Sequence, residues 1–144
     1  MGSVGDRDLV TRLRQAGVGR GDLVGLAVAA DGIAAVVAAG GSETAGPGWL
    51  VSAGEVARAD GEIRPRWVTW SQETARLFVA RDVRLATCWD VAAAHRLLFG
   101  GWRADPGFVW AHLHGLPLDR VAAPAAGRAG IADLFDASGA EWCA

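Results

Sequence analysis

The stretch that most constrains the fold runs from 66 to 102, RWVTWSQETARLFVARDVRLATCWDVAAAHRLLFGGW. Residues 66–70, rich in Trp, Val and Thr, read as a strand. Ser71 follows as an N-cap, and a helix is expected over 72–81. Its apolar face is Ala75, Phe78 and Val79 at i, i+3, i+4, with Leu77 beside them. A second strand is expected over 83–88. Asp90 caps a further helix over 91–99, with Val91, Ala94 and Leu98 on its inner face, and Gly100-Gly101 stops it. Capped helices alternating with short strands make an α/β sheet. The stretch also holds Trp67, Trp70, Trp89 and Trp102. Trp67 and Trp70 are three apart, so on a strand they face opposite sides. One Trp per face points to core packing in a sheet covered on both sides, rather than to exposed platforms for bases.

Upstream, Leu9, Val10 and Leu13 give a short helix over 6–16, ended by Gly17. Strands at 23–29 and 33–38 flank Asp31-Gly32, a strong hairpin signal. A transmembrane reading of 23–40 fails on Asp31, because a charge at mid-bilayer costs roughly 3 kcal/mol. Residues 40–48 read as a loop. Ser52 and Glu55 have capping-box spacing, so a helix is expected over 53–59. Asp105-Pro106 opens a last helix to about His114, ended by Gly115 and Pro117. From Ala122 the chain turns to Ala, Gly and Pro, although Leu134, Phe135 and Trp142 could dock back. The expected layout is therefore an α/β domain over 1–120, with a mixed sheet and flanking helices, and a linker or tail over 121–144.

The formal charge is −2, which gives no strong footprint for nucleic acid. Arg58, Arg64, Arg66, Arg76, Arg81 and Arg84 concentrate in the middle and read as solvated helix ends and loops. Cys88 and Cys143 are too few and too far apart for a disulfide scaffold or a zinc framework. A reducing cytoplasm fits them best. MGSVGDRD lacks the features of a signal peptide, and no membrane association is expected.

Four blocks carry a family resemblance: LVGLAVAADGIAAVVAAG at 23–40, WVTWSQETARLFVARDVRL at 67–85, CWDVAAAHRLLFGG at 88–101 and PGFVWAHLHGLPLD at 106–119. In order and pattern they resemble the 3′–5′ exonuclease domain of family A DNA polymerases, in the version found in actinobacterial bifunctional 3′–5′ exonuclease/DNA polymerases. The resemblance implies a ribonuclease H-like fold, with 23–40 matching the family's second and third strands. It also implies two divalent metals held by four carboxylates, since hard cations prefer oxygen ligands. The family carries an Asp-x-Glu on its first strand, an Asp on the helix after the central strand, and a final Asp paired with Tyr or His.

This chain departs from that pattern. Ala75 stands at the helix position of the metal Asp. No Asp-x-Glu precedes residue 23, and Asp60-Gly61-Glu62 reads as a solvated turn. The chain has no Tyr. His114 and Asp119 have the spacing of a His-type final motif, but Gly115 and Pro117 break the helix between them. Asp90 is explained as an N-cap. No catalytic, metal-binding or cofactor-binding residue is therefore assigned, and no cofactor is expected. The expectation is an inactive exonuclease-like domain with a structural or interaction role in DNA replication or repair. Its partners would be a polymerase domain beyond the C-terminus and, weakly, DNA. One alternative is an active nuclease with a rearranged carboxylate set, Asp22, Asp31 and Asp90. Another is a single-stranded DNA-binding module built on the Arg and Trp residues.

Other sites read as structural. His95 falls near a helix C-terminus, where it offsets the helix dipole. His112 and His114 point about 200° apart on a helix and cannot share a metal. Ser71 lacks a nucleophile elbow. The glycine run 17–21 precedes a strand, whereas a phosphate loop follows one and opens a helix.

Overall fold

A computed structural model describes residues 8–39 and 46–121. The chain divides into two compact units, Met1–Pro106 and Gly107–Ala144. Cys143, Leu134, Phe135, Trp142 and the tail expected from 121 lie, from 122 onward, outside the described residues.

The first unit is an α/β domain around one five-stranded mixed sheet of order β3-β2-β1-β4-β5. Its elements are α1 (Leu9–Gln15), β1 (Leu23–Val28), β2 (Ile33–Ala38), β3 (Gly48–Ser52), α2 (Ala53–Ile63), β4 (Arg66–Thr69), α3 (Gln72–Val79), β5 (Cys88–Asp90) and α4 (Val91–Phe99). β1, β2 and β3 form an antiparallel meander, while β4 pairs parallel with β1 and β5 parallel with β4.

The hairpin forms at Asp31-Gly32 as expected. Gly32 has φ +90°, and an added Cβ there would meet Arg81 Nε at 2.7 Å. Arg81 explains the close approach: its guanidinium donates to the carbonyl of Ala30, across from its own helix. Asp31 Oδ1 accepts from the Ile33 amide at 3.0 Å and completes the turn.

Period-two alternation sorts the strands into two faces. Val24, Leu26, Ala34, Val36, Ala38, Val51 and Trp67 share the buried face, where α1 adds Leu9, Val10 and Leu13 and α2 adds Val56, Ala59 and Ile63. The opposite face carries exposed Leu23, Ile33, Val37 and Leu50, the last 73 % exposed. Among the described residues, this face is not covered as the expectation of a sheet covered on both sides required. Trp67 is fully buried, Trp70 half-buried, and Trp89 exposed.

Four further expectations shift. β3 is not legible in the sequence, because five residues starting with Gly and Trp carry too little pattern; pairing with β2 defines it. α2 runs on to Ile63 instead of ending near 59. The strand expected over 83–88 is β5, Cys88–Asp90. The segment before it turns at Asp82, which has φ 57°, a conformation Asp tolerates better than most residues. The helix faces also rotate. In α3 Phe78 is buried but Val79 exposed, and in α4 Ala92 and His95 are buried while Leu98 is 76 % exposed. Only His95 and Arg96 are polar in α4, so its sequence has no polar face to fix the phase.

α5 (Pro106–Leu113) starts at a proline, as expected, and a 3-10 turn follows at Leu118–Arg120. Among the described residues no helix is long and apolar enough to cross a membrane.

Candidate functional site

The parallel strands give the first unit two chemically distinct ends. At the C-terminal end of β4 and β5 lie Thr69, Ser71 and Asp90. Ser71 Oγ accepts from the Glu73 amide at 3.3 Å, and Asp90 Oδ1 from the Ala93 amide at 2.8 Å. Both are helix caps, as their sequence position implied. The Thr69 hydroxyl donates to the Trp89 carbonyl at 3.3 Å, and the Ala92 amide donates to the Trp70 carbonyl at 3.0 Å. Ala75, half-buried on α3, brings no ligand atom to this end.

The rearranged set Asp22, Asp31 and Asp90 is not assembled. Asp22 precedes β1 and Asp31 follows it, so the six-residue strand holds them about 20 Å apart at roughly 3.3 Å per residue. Asp22 Oδ2 instead accepts from the Gly19 amide at 2.8 Å. Among the described residues no three His, Cys, Asp or Glu side chains are grouped so as to hold a metal ion.

Asp60 is the residue whose role the sequence concealed. Asp60-Gly61-Glu62 is no solvated turn: it lies in the last turns of α2, and Asp60 is buried. Its Oδ1 accepts from Trp67 Nε1 at 2.9 Å and its Oδ2 from the Ala86 amide at 3.0 Å. One carboxylate therefore ties α2 to the centre of β4 and to the segment entering β5. Glu62 faces outward, where Arg58 Nε donates to it at 3.1 Å and Arg14 lies 3.6 Å away. Cys88, directly across the β ladder from Trp67, has its thiol pushed up from its ordinary value. Desolvation is the larger cause and the Asp60 charge the second. A thiol so shifted is a poor nucleophile at neutral pH.

The arginine group separates. Arg58 pairs with Asp8 at 2.7 Å, and Arg76 with Glu73 at 2.6 Å. Arg81 donates to the Leu77 carbonyl at 2.8 Å as well as to Ala30. Arg64 and Arg66 instead join Arg20, from the glycine run, around a cavity at the N-terminal end of the parallel strands. No local spacing links Arg20 to the other two. Only the parallel pairing of β1 with β4 brings them together.

His95 is buried on α4, with its ring 5.0 Å from that of Phe99. In the second unit the ring of His112 packs 6.2 Å from Phe108, and that of His114 4.6 Å from Trp110. α5 ends at Leu113, Gly115 takes φ 64°, and Asp119 falls in the separate 3-10 turn. His114 and Asp119 thus do not share a helix.

The fold defines the chain as an α/β protein with a five-stranded mixed sheet. No family model matches it, and neither a curated protein nor a solved structure does.

Proposed function

We propose that the chain is a catalytically silent 3′–5′ exonuclease-like domain of ribonuclease H-like fold. It would act in the cytoplasm as a structural or interaction module of a family A DNA polymerase in replication or repair. The observation that carries this reading is the sheet: an antiparallel meander whose first strand lies at the centre, with two further strands added parallel to it. A ribonuclease H-like sheet has that layout.

On this reading β1 itself corresponds to the family's first strand, and no strand before residue 23 is needed. Its residues, LVGLAV, include no carboxylate. α3 corresponds to the helix after the central strand, and it offers Ala75 where the metal Asp would stand. Two-metal hydrolysis depends on carboxylates that hold both ions around the attacking and leaving oxygens. The C-terminal end of β4 and β5 supplies Asp90, which already accepts the Ala93 amide.

The test is incubation of the full chain with Mg²⁺ or Mn²⁺ and a 3′-labelled single-stranded oligonucleotide. The expected outcome is an oligonucleotide of unchanged length. Shortening by the wild type that is lost in Asp90→Ala would overturn the reading.

A further inference from the structure

Because β1, β4 and β5 run parallel, the segments that lead into them meet at one end of the sheet. Arg20 and Gly21 come from the first, Arg64 from the second, with Arg66 opening β4 itself, and Ala86 and Thr87 from the third. Together they border a cavity of ≈ 280 Å³. Three arginines line it and no carboxylate does.

Of the arginines elsewhere, Arg14, Arg58, Arg76 and Arg103 find acids, while Arg81 and Arg96 donate to backbone carbonyls. Arg58 lies 2.7 Å from Asp8, Arg76 2.6 Å from Glu73, and Arg103 2.7 Å from Asp105. Among the described residues Arg20, Arg64 and Arg66 take part in no ion pair. Arg66 instead rests over the Trp89 ring, 5.5 Å from its centroid, a cation–π contact that limits where its guanidinium points. The nearby carboxylates are engaged elsewhere, Asp22 by the Gly19 amide and Asp60 by Trp67 and Ala86. Arg64 also holds the left-handed backbone at the end of α2, with φ 56° and ψ 55°, where glycine is the usual residue. The planar fork of a guanidinium matches phosphate oxygens, and three arginines bordering one cavity without a carboxylate favour an anion there.

We propose that this cavity is a phosphate site, in which Arg20, Arg64 and Arg66 grip a phosphate or phosphate ester. It lies at the end of the strands opposite to Ser71 and Asp90, so it stands whether or not the nuclease reading holds.

The test titrates the full chain, at low ionic strength, with inorganic phosphate, dTMP and a 5′-phosphorylated oligothymidylate. Saturable binding is expected, weakened roughly tenfold in Arg64→Gly. Glycine fits the left-handed backbone, so this variant is expected to melt no lower than the wild type. Should it melt lower, Arg20→Gln, in an exposed loop, is expected to show the same roughly tenfold loss and decides instead. Arg76→Gln removes an equal charge outside the cavity and is expected to bind as the wild type does. Preference for the oligonucleotide would assign the phosphate to a nucleic acid, and equal binding of the three probes to a free phosphate; both support the site. No saturable binding of any probe, or an equal loss in Arg76→Gln, would overturn it.

Discussion

The two ends of the parallel strands are built on one backbone and carry opposite chemistry. At the C-terminal end Asp90 satisfies an amide three residues ahead of it. At the other end Asp60 satisfies an indole seven residues away and an amide 26 residues away. A carboxylate in the first position is a local cap whose partner forms with the helix. A carboxylate in the second is a tertiary bond, made only when α2, β4 and the approach to β5 have packed. The arginines divide in the same manner. Arg76 pairs with Glu73 on its own helix, whereas Arg20, Arg64 and Arg66 border a cavity.

This contrast can be broken by substitution. The largest effect is expected for Asp60→Asn. Its amide group can accept from Trp67 or from Ala86 but meets the other donor with a donor, and the charge is lost. Chemical denaturation should show a destabilisation of about 3 kcal/mol. Asp90→Ala removes one exchangeable cap and should lower stability by about 1 kcal/mol. Equal losses in the two variants would erase the distinction between tertiary and local carboxylates.

The smallest effect concerns Cys88. In a Cys143→Ser background, the pH profile of alkylation should have its midpoint above the ordinary thiol value, because partial desolvation of the exposed Cys88 first and the Asp60 charge second disfavour the thiolate. Removing that charge in Asp60→Asn should move the midpoint down by the lesser share and leave the desolvation effect in place. A midpoint unmoved by the substitution would mean that Asp60 does not reach Cys88.

Much of the fold could be read locally. Ser52, Ser71 and Asp90 cap the helices they precede, and Asp31-Gly32 turns the hairpin. Each works within a few residues of itself, so its signal survives without knowledge of the rest of the chain. Helix phase was legible only where polar residues mark one side. α4 lacks such a side, which is why Leu98, placed on the inner face by its spacing, is exposed while His95 is buried. The candidate phosphate site is not legible in the sequence, since its arginines belong to separate segments, each of which locally looks like a solvated helix end or a glycine-rich break.

The sequence by itself determined the caps, the hairpin and the α/β alternation, because these depend on hydrogen bonds and hydrophobic spacing within one turn or one strand. It also determined that Ala75 and the residues of β1 bring no carboxylate oxygen. Only the tertiary structure decided that β3 completes the meander, that Asp60 is buried between two donors, and that Arg20 meets Arg64 and Arg66. Those outcomes depend on which strands pair and in which direction. Parallel pairing brings together lead-ins that are far apart along the chain, and no local period encodes such a meeting.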